Sequence, residues 1–319
     1  MSDSEFSYGP FASQGFYQVV NKQLVEMVDF RPGQRIVDLA CGTGAVTRLI
    51  VEKLKGARDS LVIGIDMSAT AIREAMAQLS SVKDVALELI HSRAEQLSDI
   101  VKERVDGVVF CNGIHMVPDK TDLMAEVATT LRPGGTFAFN TTFFNGAVPE
   151  ESEQFYRRWM SKSIRSLKKN HDMLPSRDVE KVAARVQLTV GEYEDLLAQS
   201  GFSIQRKDLC PAPMDLDGFL AISQYEAFIE GAMPGVPLAL GCESLQNGAR
   251  QAFEELVEQE GEKAGVEAGQ MKGVRRLADL VNKGEVFDAV YLQPALLTAA
   301  LHIFQRPFKL SSLNGHDPL

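Results

Sequence analysis

Two rhythms of apolar and polar positions alternate through the first half of the chain. Short, nearly continuous apolar runs occupy 35–40, 61–65, 85–90, 105–110 and 136–141. Runs of this length, rich in Val and Ile, predict strands buried on both faces. Between them the spacing stretches to a helical period. Apolar residues fall at 46, 49, 50 and 54, and a second helical segment spans 68–79. The breakers Arg31-Pro32-Gly33 and Arg132-Pro133-Gly134-Gly135 precede the first and fifth strands. Strands spaced by amphipathic helices predict a parallel sheet covered on both sides, and right-handed crossovers make it doubly wound.

After Thr142 the rhythm breaks. The pattern predicts a helix over 149–170, a short helix over 179–187, and another over 190–200 that Gly201 stops. A strand follows over 202–209. From 211 to about 283 the spacing is helical, interrupted by the turn-rich stretch 231–237. The apolar run 296–304 is long enough for a strand, though periodicity alone also admits a helix.

Composition narrows the class. Hydrophobic residues make up 45% of the 319 positions and charged residues 24%, which excludes a disordered or collagen-like chain. With 33 basic and 43 acidic side chains the net charge is −10, which argues against general affinity for nucleic acid or anionic lipid. No run approaches the roughly 18 apolar residues of a membrane span, and no signal peptide is visible at the N-terminus. Cys41, Cys111, Cys210 and Cys242 form no CxxC pair, so free thiols in a reducing compartment are expected, with the cytoplasm as the default.

The informative chemistry sits at two strand ends. The segment Ile36-Val37-Asp38-Leu39-Ala40-Cys41-Gly42-Thr43-Gly44 closes the first strand with two glycines that allow close backbone approach to a ligand. Such a ligand lies at the carboxyl edge of the sheet. A dinucleotide fingerprint would require glycine at 47, where Thr stands. Asp38 would also sit poorly beside a pyrophosphate and suits a ligand with an amino group. Asp66, in Ile63-Gly64-Ile65-Asp66-Met67-Ser68, ends the second strand, where an acid can accept both ribose hydroxyls. Met67 offers a soft apolar face to an adenine ring. The bland alternative for Asp66 is a helix cap.

These two segments together resemble the class I S-adenosylmethionine-dependent methyltransferases. Within them the likeness is to small-molecule enzymes related to quinone-biosynthesis and natural-product methyltransferases. It continues through Ser92-Arg93-Ala94-Glu95-Gln96-Leu97, Val105-Asp106-Gly107-Val108-Val109 and Leu131-Arg132-Pro133-Gly134-Gly135, covering about 30–142. The resemblance implies a Rossmann-like α/β fold: a doubly wound seven-stranded sheet with an antiparallel last strand and helical cap insertions. On that frame the chain would comprise a helical arm (1–30), a cofactor-binding core (31–142), a helical insertion (143–188), a core helix with strand six (189–210), a helical lid (211–292), and strand seven with a tail (293–319).

The resemblance also implies that Asp38, Ala40 and Gly42 surround the methionine end of S-adenosylmethionine, with Cys41 and Gly44 also in the cofactor-binding set. Asp66 would bind the ribose, Met67 would pack on adenine, Ala94 would meet the adenine edge through its backbone, and the Asn112 carbonyl would contact the methionine portion. Relatives often have Asp where Arg93 stands. Arg cannot accept a hydrogen bond from the adenine amino group, which leaves Glu95 or backbone for that task.

Methyl transfer is an in-line displacement, so the protein mainly aligns the reactants and excludes water. Where a base is needed, His115 in Cys111-Asn112-Gly113-Ile114-His115 is chemically suited near neutral pH. Packing in its loop is the alternative, and Tyr8, Tyr17 and His171 are weaker candidates. His91, His115, His171, His302 and His316 lack paired ligand spacing, so no metal is expected. Phe144, Trp159 and Tyr225 are the expected substrate contacts, and the helical insertions are expected to cover the substrate. On 151–170, an apolar face (Phe155, Trp159, Met160, Ile164, Leu167) opposes a basic stripe of Arg158, Lys162, Arg165 and Lys169. That stripe is either a solvated face or a contact for an anionic partner. The expected substrate is a small, largely apolar metabolite methylated on O, N or C; a homodimer stays open, and no nucleic-acid or membrane partner is expected. The same fold without methyl transfer, a dinucleotide oxidoreductase, or a non-catalytic cofactor binder are the competing functions.

Overall fold

The structure is a computed structural model, described for residues 6–57, 59–176, 187–263 and 296–305. It divides into two compact units. One comprises Gln18–Ala147, Ala183–Cys210 and Ala299–Leu319, the other Met1–Tyr17, Val148–Val182 and Pro211–Thr298. In chain order the elements are α1 (Gly9–Ala12), α2 (Gly15–Met27), β1 (Arg35–Leu39), α3 (Ala45–Leu54), β2 (Leu61–Asp66), α4 (Ala69–Leu79), β3 (Ala86–His91), α5 (Leu97–Ile100), β4 (Val105–Cys111), α6 (Lys120–Thr130) and β5 (Leu131–Thr141). They continue with α7 (Glu150–His171), α8 (Val190–Gln199), β6 (Ser203–Pro213), α9 (Leu216–Ile222), α10 (Glu226–Ala232), α11 (Leu238–Lys263) and β7 (Leu296–Gln305).

The sheet unit is an α/β Rossmann-like fold built on five parallel strands in the order β3-β2-β1-β4-β5. Nearly every residue of β1, β2 and β4 is buried, as continuous Val and Ile runs in a doubly covered sheet require. β3, at the edge, alternates exposed and half-buried residues instead. Beyond β5 the order continues β7-β6, with β7 antiparallel to β5 in a register that sets Thr136 opposite Gln305 and Thr141 opposite Ala300.

α3 buries Val46, Thr47, Ile50, Val51 and Leu54 against the sheet. Thr47 and Val51 extend the apolar stripe beyond the periodic positions 46, 50 and 54. Lys53, on the same helix, turns its ammonium back to donate to the carbonyls of Val25, Glu26 and Val28. It thereby satisfies acceptors at the C-terminus of α2 that no further helical turn could reach. At the opposite edge of the sheet from the glycine loop, Asp106 accepts from the Arg35 amide at 2.7 Å and pairs with Arg132. The Val-Asp-Gly and Arg-Pro-Gly-Gly segments therefore lock the N-terminal ends of β1, β4 and β5. α8 starts with a complete capping box, Thr189 with Glu192.

The helical unit is organised by α7, α9, α10 and α11. Trp159 is 1% exposed and donates its Nε1 to the Leu245 carbonyl at 2.9 Å. Its ring stacks on Phe228 and meets Phe219 edge-on, with centroids 5.5 and 4.9 Å apart. The buried face of α7 is Ser152, Phe155, Trp159, Ser163, Ser166 and Leu167. Ile164, predicted on that face, is 38% exposed instead, because the helix presents its small serines to its neighbour. A Cβ at Gly248 of α11 would clash with the Ser163 hydroxyl oxygen and stand 2.6 Å from its amide nitrogen, so the two backbones meet with Ser163 in the space that glycine leaves. The helix predicted over 179–187 lies, apart from its last residue, outside the described residues, as do 264–292 of the predicted lid.

Candidate functional site

The carboxyl ends of β1 and β2 are joined by a carboxylate. Asp66 accepts from the Gly42 amide with one oxygen and from the Ser68 amide with the other, each at 2.8 Å. It is not the cap of α4. That task falls to Ser68, whose hydroxyl accepts from the Ala71 amide. The loop that Asp66 holds carries three residues with positive φ: Ala40 at 56°, Gly42 at 53° and Gly44 at 90°. The two glycines do different work. A Cβ at Gly44 would lie 2.8 Å from Leu79 of α4, whereas a Cβ at Gly42 would enter open space. Gly44 serves packing, and Gly42 keeps its surroundings clear.

Cys41 is predicted at the cofactor, but its side chain turns inward. It is 5% exposed and lies where Gly64 of β2 has no side chain. Burial, with Asp38 and Asp66 nearby, pushes its thiol well above the usual range, so Cys41 offers the loop its backbone and no reactive sulfur.

Asp38 is 1% exposed. One carboxylate oxygen accepts from the Thr47 hydroxyl at 2.6 Å, and the other is buried with no hydrogen-bond partner among the described residues. Burial raises its pKa to about 7; the Thr47 hydrogen bond opposes that rise and the Asp66 charge adds to it. A buried acceptor without a partner is costly unless something completes it, and an ammonium group does so by charge and by donor count. The residues present therefore fit S-adenosylmethionine: an acceptor for its amino group, a carboxylate at the end of the neighbouring strand, and a glycine facing open space.

The loop after β3 is fastened to the end of β2. The Ser92 amide donates to the Asp66 carbonyl at 2.9 Å, and the His91 Nε2 lies 2.9 Å from the Met67 carbonyl. Met67 itself is 66% exposed, which leaves its thioether available to a ring. Ala94 opens a single 3-10 turn, Ala94–Gln96. Glu95 pairs with Arg93 at 3.0 Å, so the one side-chain acceptor in this loop expected to read adenine is engaged by its neighbour.

Across β4 and β5 the edge is made of amides. Asn112 has φ 50°, a left-handed backbone that Asn tolerates better than most residues. Its amide donates to the Asn140 carbonyl and to the Asn140 side chain, both at 3.0 Å. Its side-chain oxygen accepts from the Thr142 amide at 2.9 Å. The side-chain nitrogens of Asn112 and Asn140 both donate to Oδ1 of Asn21, at 3.2 and 2.9 Å. All three asparagines are buried. Asn21, Asn140 and Thr47 are the residues that sequence reasoning missed. Thr47 was visible as the departure from a third glycine, whereas the Asn21–Asn140 contact spans 119 positions and leaves no local signal.

His115 is half-buried in the turn after β4. Its Nδ1 lies 3.3 Å from the Thr141 hydroxyl and its ring packs on Phe143, centroids 4.6 Å apart. Burial, and the charge of Lys120 nearby, lower its pKa to about 3 rather than the near-neutral value expected of a base. The imidazole is neutral at physiological pH and a weak proton acceptor.

Of the three aromatic residues expected at the substrate, Trp159 belongs to the core of the helical unit and Phe144 is 5% exposed. Tyr225 alone among them keeps part of its surface open, with its ring against Tyr8 at 4.9 Å. Arg158, Lys162 and Arg165 of the basic stripe of α7 line an open groove of about 540 Å³ with Glu255 of α11, which pairs with Lys162. Among the described residues no group of three His, Cys, Asp or Glu could hold a metal ion, and no helix is long and apolar enough to cross a membrane.

Residues 36–135 match the family described as methyltransferase domain. A protein of Saccharomyces cerevisiae assigned as an S-adenosylmethionine-dependent methyltransferase is 34% identical over 117 residues, 36% of this chain and 38% of its own length. The trans-aconitate 2-methyltransferase of Azoarcus sp. is 33% identical over 37% of this chain and 42% of its own. A demethylmenaquinone methyltransferase of Symbiobacterium thermophilum is 30% identical over 39% and 49%. The chain thus spans less than half the length of these relatives. Among solved structures, a protein of Bacillus halodurans assigned as a methyltransferase shares the fold, with a TM-score of 0.51 at 12% identity over 90% of this chain and 99% of that one.

Proposed function

We propose that this chain, whose residues 36–135 form a class I S-adenosylmethionine-dependent methyltransferase domain, transfers the methyl group of that cofactor to O, N or C of a small, largely apolar metabolite. When bound, the cofactor supplies a methyl group activated by its sulfonium. The observation that carries the reading is the pair of carboxylates at adjacent strand ends, Asp38 with one unpartnered oxygen and Asp66 clasping the Gly42 amide. Asp38 receives the amino group, Asp66 accepts from the ribose hydroxyls with its remaining lone pairs, and Met67 covers the adenine. The Ala94 backbone and the Asn112 carbonyl complete the set. Gly44 holds α4 close rather than touching ligand, and Cys41 contributes main chain.

The chain's own work is then binding, orientation and exclusion of water. His115 keeps a neutral imidazole beside Thr141, which suits hydrogen bonding to an acceptor more than removal of its proton. An acceptor already nucleophilic, such as an enol, an amine or a phenolate, fits that chemistry. The aromatic helical segments, with Tyr225 as the partly open ring, are read as the part that selects the acceptor. The antiparallel register of β7 on β5 supports reading β6 and β7 as the pair that completes a seven-stranded methyltransferase sheet. The cytoplasm is the proposed location, from the free cysteines.

A dinucleotide oxidoreductase is disfavoured by Thr47, whose hydroxyl is committed to Asp38 where that fingerprint has glycine. Calorimetry with S-adenosylmethionine and, separately, NADH tests the cofactor class. Incubation with a metabolite extract and a methyl-labelled donor tests transfer. Binding of NADH alone, or cofactor binding with no labelled product from any extract, overturns the reading.

A further inference from the structure

We infer that Asn21, on α2, is a positioning residue for the cofactor: it holds the Asn112 backbone in the left-handed conformation that turns its carbonyl to the methionine portion. The inference rests on the cofactor reading above and adds to it an element, the N-terminal helix, that lies outside the matched segment 36–135.

The position of Asn21 is unusual for a helix that serves packing alone. Its neighbours Val20, Leu24 and Val25 are buried apolar residues, and Asn21 is itself only 6% exposed. An apolar side chain there would avoid the desolvation of an amide. What the amide provides instead is a single oxygen on which two separate strand ends converge. Asn112 follows β4 and Asn140 sits in β5, and each directs its side-chain NH₂ at Asn21 Oδ1.

That convergence sets the orientation of both amides. With Nδ2 of Asn112 drawn to Asn21, its Oδ1 faces the Thr142 amide. With Nδ2 of Asn140 drawn to the same oxygen, its Oδ1 faces the Asn112 amide. The Asn112 peptide is therefore gripped from the side chain and from its own N–H, and a φ of 50° persists because the surroundings leave no other arrangement satisfied. Remove the Asn21 acceptor and two buried NH₂ groups lose their partner. Each can regain one only by rotating, which leaves the Asn112 amide with the Asn140 carbonyl alone or releases the amide of Thr142.

A positioning role and a merely structural one make different predictions in a cycle with residue 112. Glycine adopts positive φ without support, so Asn112→Gly frees the backbone from its dependence on Asn21. Asn21→Leu, which keeps the branched four-atom shape and has no acceptor, should weaken S-adenosylmethionine binding about tenfold in calorimetry, the scale of one lost hydrogen bond. In the Asn112→Gly background the same change should cost less than about threefold. Asn21→Asp, which keeps the acceptor, should stay within about threefold of the parent. In the ligand-free protein, hydrogen exchange at the Thr142 amide should quicken about tenfold or more in Asn21→Leu. Thermal melting establishes that each variant is folded under the conditions used. If Asn21→Leu does not fold, Asn21→Ser, whose hydroxyl is too short to serve both amides, takes its place in the cycle.

Equal losses in the two backgrounds would overturn the inference, and so would unchanged affinity accompanied only by a lower melting temperature. If the parent protein binds no S-adenosylmethionine, the cofactor reading fails and this inference fails with it. If the parent binds and the Asn21 variants bind equally well, the inference alone fails.

Discussion

The hydroxyl of Thr47 donates to the Asp38 carboxylate at 2.6 Å, across nine positions and from helix α3 to the end of β1. It satisfies one oxygen and leaves the other buried without a hydrogen-bond partner among the described residues. A residue that breaks one cofactor fingerprint thus tunes the acid that would serve another. Because the folded pKa of Asp38, about 7, lies above its ordinary value of 3.8, its contribution to stability is complete below about pH 4 and is lost as pH rises through 7.

Cofactor binding should therefore release a proton from Asp38 near pH 6, as an ammonium draws its pKa down. Calorimetry in buffers of differing ionisation enthalpy measures the release, and Asp38→Asn should abolish it. Thr47→Val should lower stability by about 1–3 kcal/mol, the cost of an unsatisfied buried acceptor, and move the release to higher pH. A proton count that does not depend on residue 38 would rule out the amino-group assignment.

Asp66→Ala removes the clasp on Gly42 and the ribose acceptor together. A loss of about 1.5–3 kcal/mol in S-adenosylmethionine affinity is expected for each charged hydrogen bond removed. Adenosine itself, which has the ribose and lacks the methionine, should lose affinity in the same variant. Were only the methionine-bearing ligand affected, the ribose assignment would be wrong.

The two loop glycines should separate binding from stability. Gly42→Val should fold with a penalty of about 1–2 kcal/mol for its left-handed backbone and bind cofactor poorly, since its side chain enters the open space at the loop. Gly44→Ala should add a clash with Leu79 to similar strain and be the less stable of the two in urea unfolding. Normal cofactor binding by a folded Gly42→Val would exclude ligand from that loop.

His115 has its folded pKa held below its ordinary value of 6.5, at about 3. Its contribution to stability is thus present above about pH 6.5 and is lost as pH falls toward 3. The melting temperature of the parent should drop more steeply than that of His115→Leu between pH 6.5 and 4. Turnover of His115→Ala should stay within about tenfold of the parent, short of the 10²-fold or more that a general base supplies. A rate profile with a limb near pH 6.5 that vanishes in this variant would restore the base.

The five parallel strands were legible because continuous Val and Ile runs have one inexpensive solution, a sheet covered on both faces. The placement of Asp38 and Asp66 was legible for a local reason: Asp38 stands one residue before the end of β1 and Asp66 ends β2, each within a short motif. The fate of Cys41 was not, because whether a side chain at a strand end faces ligand or core depends on Gly64, a residue of the neighbouring strand. Trp159 was misplaced for a similar reason. Its pattern marks an apolar face, but the carbonyl that takes its Nε1 belongs to Leu245, 86 positions away. His115 carries no sign in the sequence of the burial that lowers its pKa. Asn21 looks like a polar interruption of an apolar helix until β4 and β5 are brought beside it.

The meeting of Ser163 and Gly248 bears on how this protein could be rebuilt. Where two backbones approach so closely, the interface is a keyed joint with no tolerance for a larger tooth on either half. A chimaera that imports α7 from one relative and α11 from another would have to match serine to glycine at that joint, or the helices would be forced apart and Trp159 would lose the Leu245 carbonyl with them. The two helices, separated by more than sixty residues of chain, are in practice one cassette, to be exchanged together or left alone.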